Sequence, residues 1–104
     1  MKKFKTVSVD NMNSLLGTED ALLLDCRRVN DYKLGHIENA LHAHDALVES
    51  LIRSENKSRN MVIYCYHGHT SEHLAELLAN FGYTDVYSVE GGFDQWKLHQ
   101  KAAQ

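Results

Sequence analysis

The sequence has no proline, only two cysteines and one tryptophan, and no long apolar run. The continuous apolar runs, at residues 21–24 and 61–66, are far shorter than the roughly 20 residues that a membrane-spanning helix needs. Two cysteines also cannot build the framework of several disulfides that stabilises small secreted domains. These absences exclude a membrane-spanning protein and a disulfide-rich scaffold. Without proline, the glycines are the main markers of turns.

Positive and negative residues are nearly balanced, so the composition does not indicate a strongly charged partner. Eleven Lys and Arg stand against fourteen Asp and Glu, which gives a net charge of -3, and no basic run occurs. A nucleic-acid-binding domain needs a basic surface along the phosphate backbone, so we expect no nucleic-acid partner. The start of the chain has Lys5 and Asp10 where a signal peptide needs an apolar stretch. We therefore expect a cytoplasmic protein with no membrane partner.

What is present is the composition of a soluble globular domain. Apolar residues make up 43% of the chain and charged residues 24%, both close to the averages for such domains. A chain of 104 residues can form one hydrophobic core but not two independent ones. We therefore expect a single domain over residues 1–104 with one active site.

Short apolar runs alternate with segments of helical periodicity. The sequence predicts strands at 5–9, 21–25, 40–43, 61–65 and 84–89, and helices at 10–17, within 27–35, at 45–53, at 71–81 and from 93 onward. Asp10 and Asp45 are expected to cap two of these helices. Strands that alternate with helices indicate parallel pairing. The expected fold is α/β, an open sheet of about five parallel strands with helices on both faces.

Cys65 ends a predicted buried strand, and a short loop with one glycine leads from it into the clearest predicted helix. Ligands of parallel sheets bind beyond the carboxyl ends of the strands, where Cys65 falls. The N–H groups of residues 66–71 can curl around its sulfur, and the helix dipole adds to them. Such surroundings lower a thiol pKa from about 8.5 to between about 3.5 and 7.5, so we expect a reactive thiolate. Cys26 has no such loop and is expected to be an inert, half-buried thiol.

Four short motifs resemble the rhodanese family in their order and spacing. They are Asp25-Cys26-Arg27 (D-x-R), Gly35-His36-Ile37 with Ala40, the loop CYHGHT at 65–70, and Gly91-Gly92 with Trp96. The similarity spans nearly the whole chain, and the short length and the CYHG start of the loop resemble the stand-alone GlpE type of this family. The resemblance implies a rhodanese-like sheet and a thiosulfate sulfurtransferase that uses no cofactor.

The resemblance also implies a two-step reaction with Cys65 as the catalytic residue. The thiolate would take the outer sulfur of a donor such as thiosulfate, release sulfite, and then give the sulfur from its persulfide to an acceptor. Cyanide is the expected acceptor in vitro, and a dithiol such as thioredoxin in the cell. The loop N–H groups would stabilise the thiolate and the persulfide anion alike. A persulfide relay or a regulatory rhodanese module acting on a protein partner remains an alternative.

The other loop residues are expected to bind or orient the substrate. They are Tyr66, His67, Gly68, His69, Thr70 and Ser71. The hydroxyls of Thr70 and Ser71 either cap the helix or donate to the persulfide. His67 and His69 stand where thiosulfate-preferring relatives often carry Arg or Lys. They either attract thiosulfate as cations or are neutral, solvated rings.

Residues outside the loop are expected to support the site. Asp25 and Arg27 resemble the D-x-R of the family, which implies that both side chains lie on one side of the strand, near the active loop. They are expected to form an ion pair rather than to take part in catalysis. His36 is expected to shape a turn. Trp96 is expected to pack the closing helix rather than to bind substrate.

Two other functions share parts of the pattern. A cysteine-based phosphatase or arsenate reductase would carry Arg at the sixth position after the cysteine, where bidentate contacts hold an oxyanion. That position is Ser71. A metal could be held by Cys65, His67, His69 and His73, but three of them belong to one tight loop whose side chains should point away from the sulfur. We therefore expect no metal site.

Overall fold

A computed structural model describes residues 3–102, whose strands form one parallel sheet. The strands are β1 (Lys5–Val7), β2 (Leu22–Asp25), β3 (Leu41–His42), β4 (Met61–Tyr64) and β5 (Val86–Val89). The helices are α1 (Met12–Leu16), α2 (Val29–Leu34), α3 (Asp45–Arg53), α4 (His69–Asn80) and α5 (Gly92–Ala102). The strand order is β1-β5-β4-β2-β3, and every pairing is parallel. The predicted α/β fold is confirmed.

The central strand explains the apolar run that precedes Cys65. All residues of β4 are buried, because β5 and β2 flank it and helices cover both faces of the sheet. A strand covered on both faces has no solvent side, so it reads as continuously apolar rather than alternating. Cys65 follows directly after this strand, at the carboxyl edge of the sheet.

Alternation along the strands creates two separate cores, one on each face of the sheet. Ile63 shares a core with Leu51 of α3 and Leu78 of α4, on what we call the first face. Tyr64, the next residue, lies in the core of the second face with residues of α1 and α5, including Phe93. Cys65 therefore returns to the first face, under α3 and α4.

The closing helix packs through its aromatic residues. Trp96 is packed against the core of the second face, and its ring stacks on Phe93 with the ring centres 5.4 Å apart. This is the packing role that the sequence predicted for Trp96. None of the helices within residues 3–102 is long and apolar enough to cross a membrane.

The start of α4 differs from the sequence prediction. The helix begins at His69 rather than at residue 71, because Gly68 adopts φ 108° and turns the chain into the helix sooner. Thr70 and Ser71 therefore lie in the first turn, and Gly68 occupies the N-cap position without a side-chain cap. Of the two roles expected for Thr70 and Ser71, capping the helix is therefore wrong.

The expected caps of two other helices are also wrong. His44, not Asp45, caps α3: its backbone is extended, and its Nδ1 accepts a hydrogen bond from the Leu47 N–H at 3.2 Å. At α1 the N-cap residue is Asn11, which makes no side-chain cap. Asp10 instead lies with a carboxylate oxygen 2.9 Å from Nδ1 of His99. Local propensity identified the helices but not the residue at which each begins.

Gly92 allows the first turn of α5 to pack directly against the backbone of Cys65 and Tyr66. Its φ is +59°, in the left-handed region, and the next N–H, of Phe93, donates to the Cys65 carbonyl oxygen at 2.8 Å. A Cβ at Gly92 would lie 2.5 Å from that oxygen and 2.7 Å from the carbonyl carbon of Tyr66. Any side chain here would therefore displace the backbone of the loop.

We expect Gly92→Ala to lower the free energy of unfolding by about 3 kcal/mol or more, through backbone strain and the clash with Cys65. Gly35→Ala is the matched control, because its φ of 169° is extended and an added Cβ meets no atom within 4 Å. That variant should change stability by less than about 0.5 kcal/mol. Chemical denaturation measures both values, and equal losses in the two variants would contradict the close approach at Gly92.

Candidate active site

Cys65 is buried among hydrogen-bond donors. Only 2% of its surface is exposed. The Gly68 N–H donates to its Sγ at 3.1 Å, and the Ser71 Oγ lies 3.4 Å from the same atom. The backbone N–H of Ser71 also helps to lower the pKa of this thiol. The loop and the first turn of α4 thus present donors, and the positive end of the helix dipole, to one sulfur atom.

A second serine, missed in the sequence, completes this arrangement. The Ser88 Oγ lies 2.7 Å from the Ser71 Oγ, and both residues are buried. When Cys65 is ionised, the Ser71 hydroxyl donates to the sulfur and the Ser88 hydroxyl can donate to Ser71. Alternation along β5 places Ser88 on the first face with Cys65. In the sequence, Ser88 stands out as a polar residue in an otherwise largely apolar strand, and this was the signal that could have identified it.

Cys26 is also part of the site. Asp25 pairs with Tyr64 in the β2–β4 ladder, and the Cys26 N–H donates to the Tyr64 carbonyl oxygen at 3.0 Å. Cys26 and Cys65, the next residues of each strand, are therefore level and on the first face. The Cys26 thiol has two acceptors within reach, the Tyr64 carbonyl oxygen at 3.3 Å and the Cys65 sulfur. It is half-buried, as expected, but it is a neighbour of the reactive sulfur rather than an isolated thiol.

These contacts separate the protonation states of the two cysteines. The neighbouring Cys26 thiol, followed by the donors of Ser71 and Gly68, lowers the pKa of Cys65 to about 4 although burial opposes the shift. The same contact, together with burial, raises the pKa of Cys26 far above its usual value. Near neutral pH, Cys65 is therefore a thiolate and Cys26 a neutral thiol. The site combines a nucleophile with a neutral donor beside it.

Asp25 and Arg27 form the expected ion pair, but on the opposite face of the sheet from the sulfur. The Nη2 of Arg27 lies 2.8 Å from an Asp25 carboxylate oxygen, and Nε approaches both oxygens, at 3.2 and 3.1 Å. Nη2 also donates to the Gly35 carbonyl oxygen at 2.6 Å, and the guanidinium stands 3.9 Å from the centre of the Phe93 ring. The pair therefore ties the end of β2 to the turn after α2 and to α5, and does not touch Cys65.

The loop side chains point outward, as their tight turn predicts. The Tyr66 hydroxyl donates to a carboxylate oxygen of Asp31. The Nδ1 of His67 lies 2.9 Å from a carboxylate oxygen of Asp94, and both of these side chains are exposed. His69 and Thr70 are exposed as well. The sulfur is thus contacted by the backbone of the loop and by Ser71, while the other loop side chains surround the approach to it.

The histidines of the metal alternative do not converge. His67 faces Asp94, whereas His73 lines a groove between α3 and α4 together with Cys26. Within residues 3–102, no group of three or more His, Cys, Asp and Glu side chains is placed to hold a metal ion. The geometry gives no support to a metal site.

Comparisons with known proteins agree with this geometry. Residues 8–99 match the rhodanese-like domain family. The thiosulfate sulfurtransferase GlpE of Pseudomonas putida is 35% identical over 97 residues, which cover 93% of this chain and 88% of that protein. The GlpE of Coxiella burnetii is 34% identical over 92% of this chain and 90% of its own length.

A solved structure shows the same fold. The rhodanese-like domain protein from Staphylococcus aureus superposes with a TM-score of 0.74 at 29% identity, covering 89% of this chain and 91% of that one. Since the family match spans residues 8–99 and both relatives are about a third identical over nearly their whole length, the chain belongs to the rhodanese-like family, as its four motifs predicted.

Proposed function

We propose that this chain moves sulfane sulfur from thiosulfate, or a similar donor, to a thiophilic acceptor through a persulfide on Cys65. Membership of the rhodanese-like family and the relatives named thiosulfate sulfurtransferase support sulfurtransferase activity itself. The observation that carries the finer proposal is the buried Cys65 sulfur, which accepts from the Gly68 N–H at 3.1 Å and lies 3.4 Å from the Ser71 hydroxyl. These neighbours lower the pKa of Cys65 and favour its thiolate. A thiolate is the form of cysteine that attacks a sulfur–sulfur bond.

In the first step the Cys65 thiolate attacks the outer sulfur of thiosulfate. A new sulfur–sulfur bond forms on Cys65, the bond to the sulfonate sulfur breaks, and sulfite leaves with the electron pair. The charge passes from the thiolate to the persulfide, which is again an anion. Donors that already surround the sulfur need little rearrangement to stabilise it.

In the second step the acceptor attacks the outer sulfur of the persulfide, and Cys65 leaves as a thiolate. A thiol with a lowered pKa is the better leaving group in such exchanges, so the contacts that activate Cys65 in the first step also favour its release in the second. Cyanide would serve as the acceptor in vitro, and a dithiol such as thioredoxin in the cell. A persulfide relay to a protein partner uses the same first step and differs only in the acceptor.

The position that would carry Arg in a phosphatase supports sulfur chemistry instead. Ser71 stands there, fully buried and bonded to Ser88. Its hydroxyl can donate one hydrogen bond to a sulfur anion, whereas a phosphate oxyanion needs the bidentate donors of a guanidinium. The site therefore favours a sulfur anion over a tetrahedral oxyanion.

The surface beside the loop is mixed in charge. A cleft next to Gly68 is lined by His67 and His69 but also by Glu72 and Glu90. Asp94 faces His67 at 2.9 Å, so a protonated His67 would be offset by this carboxylate. Thiosulfate, a dianion, would approach a surface that carries both histidines and acidic groups.

Thiosulfate should add one sulfur atom, about 32 Da, to the intact chain, because Cys65 accepts the sulfane sulfur. Cys65→Ser should abolish this gain, whereas the matched variant Cys26→Ser should keep it. Intact-mass spectrometry measures the loading and its loss on treatment with cyanide. Unchanged loading in Cys65→Ser would contradict the assignment of Cys65.

At a pH where both rings are protonated, replacing His67 and His69 by Ala should raise the thiosulfate KM about threefold or more with little change in kcat, because the lost cations attract the dianion before it reacts. The increase should shrink at high salt, which screens charges. His99→Ala is the control, since His99 faces an aspartate at the same 2.9 Å distance as His67. An unchanged KM in the double variant would show that both rings are solvated and do not bind the donor.

A further inference from the structure

The two cysteines stand side by side at the carboxyl ends of neighbouring strands. The ladder pairs Asp25 with Tyr64, and the Cys26 N–H continues it to the Tyr64 carbonyl oxygen at 3.0 Å. The next residue on each strand is a cysteine, and both side chains point to the first face. The Cys26 thiol donates a hydrogen bond to the Tyr64 carbonyl oxygen at 3.3 Å, directly before Cys65 in the chain, and its proximity to Cys65 lowers the pKa of that thiol.

We propose that Cys26 is a resolving cysteine, whose sulfur attacks the Cys65 sulfur of the persulfide, releases hydrogen sulfide and leaves a Cys26–Cys65 disulfide. This inference rests on the persulfide of the proposed function. It adds a second product to the site, because sulfane sulfur that meets no acceptor leaves as sulfide.

The backbone geometry suits this bond. Neighbouring strands lie about 4.8 Å apart, and disulfides join residues whose Cα atoms are about 4.4 to 6.8 Å apart. Since Cys26 is level with Cys65 in the ladder, its side chain projects beside Cys65, whose Sγ would be the inner sulfur of a persulfide. The outer sulfur would lie one bond further out. Attack on the inner sulfur forms the disulfide.

The step needs no external oxidant. The sulfur of Cys26 bonds to Sγ of Cys65, the sulfur–sulfur bond of the persulfide breaks, and the outer sulfur leaves as HS⁻ with the electron pair and the proton of Cys26. The cysteines together lose two electrons, which the departing sulfur gains. A dithiol then reduces the disulfide and regenerates both thiols.

The exposure of the two cysteines and the protonation of Cys26 determine how the disulfide is reduced and how fast it forms. Cys65 is 2% exposed, whereas Cys26 is half-buried and lines a largely apolar groove with Ile52 and Leu77, so a reducing dithiol can reach the disulfide from that side. The neighbouring Cys65 and burial raise the pKa of Cys26 and keep it protonated. Resolution is therefore slow, and an abundant acceptor takes the sulfur first.

The test compares wild type, Cys26→Ser and Cys65→Ser after loading with thiosulfate, without acceptor and without oxygen. Wild type should first gain about 32 Da and then, on prolonged incubation, release one sulfide per loaded chain and end about 2 Da lighter than the reduced protein, as a disulfide requires. Cys26→Ser should remain about 32 Da heavier and release sulfide at least about tenfold more slowly. Circular dichroism checks that the variants are folded. The mass of the wild-type protein tests disulfide formation even if a variant fails to fold.

The outcomes separate the two proposals. Equal sulfide release from wild type and Cys26→Ser, or a wild type that keeps its extra sulfur, would overturn the resolving role and leave the persulfide intact. Loading that occurs equally in Cys65→Ser would overturn the proposed function and this inference with it. A disulfide that forms without release of sulfide would also overturn the resolving step.

Discussion

Hydrogen bonds from Gly68 and Ser71 to the Cys65 sulfur offset the penalty of holding an anion in a site that is 2% exposed. An unpaired buried thiolate would take up a proton, since burial disfavours the charged form. Three features keep the donors in place: the left-handed turn at Gly68, the contact of Ser71 with Ser88, and the close approach of Gly92 to the backbone of Cys65.

The parallel sheet supplies the geometry that these contacts need. Its strands end together at one edge, where alternation places Cys26, Cys65 and Ser88 on the first face. Asp25 and Arg27 lie on the second face and bind the end of β2 to α5. The sheet thus separates the reactive sulfur from the ion pair that supports it, and a charged guanidinium stays out of contact with the thiolate.

Periodicity and short motifs were enough to predict the five strands, the parallel sheet, the ion pair and the position of Cys65 at a strand end. These features follow from local patterns, because burial on both faces shapes each strand's own sequence. The contact between Cys26 and Cys65 depends on the register of strands that are distant in the chain, which no local pattern specifies. The contact of Ser88 with Ser71 joins β5 to α4 in the same way. The first residue of α4 depended on the backbone conformation of Gly68, which composition alone does not determine.

The central claim, that donors hold Cys65 as a thiolate, is tested most directly by its rate of alkylation as a function of pH. The account predicts an apparent pKa of about 4 for Cys65 in the wild-type protein. It also predicts a higher pKa in Ser71→Ala, which loses a donor to the sulfur, and no shift in Thr70→Ala, which loses an exposed hydroxyl. A wild-type pKa near the ordinary thiol value of about 8.5 would contradict it.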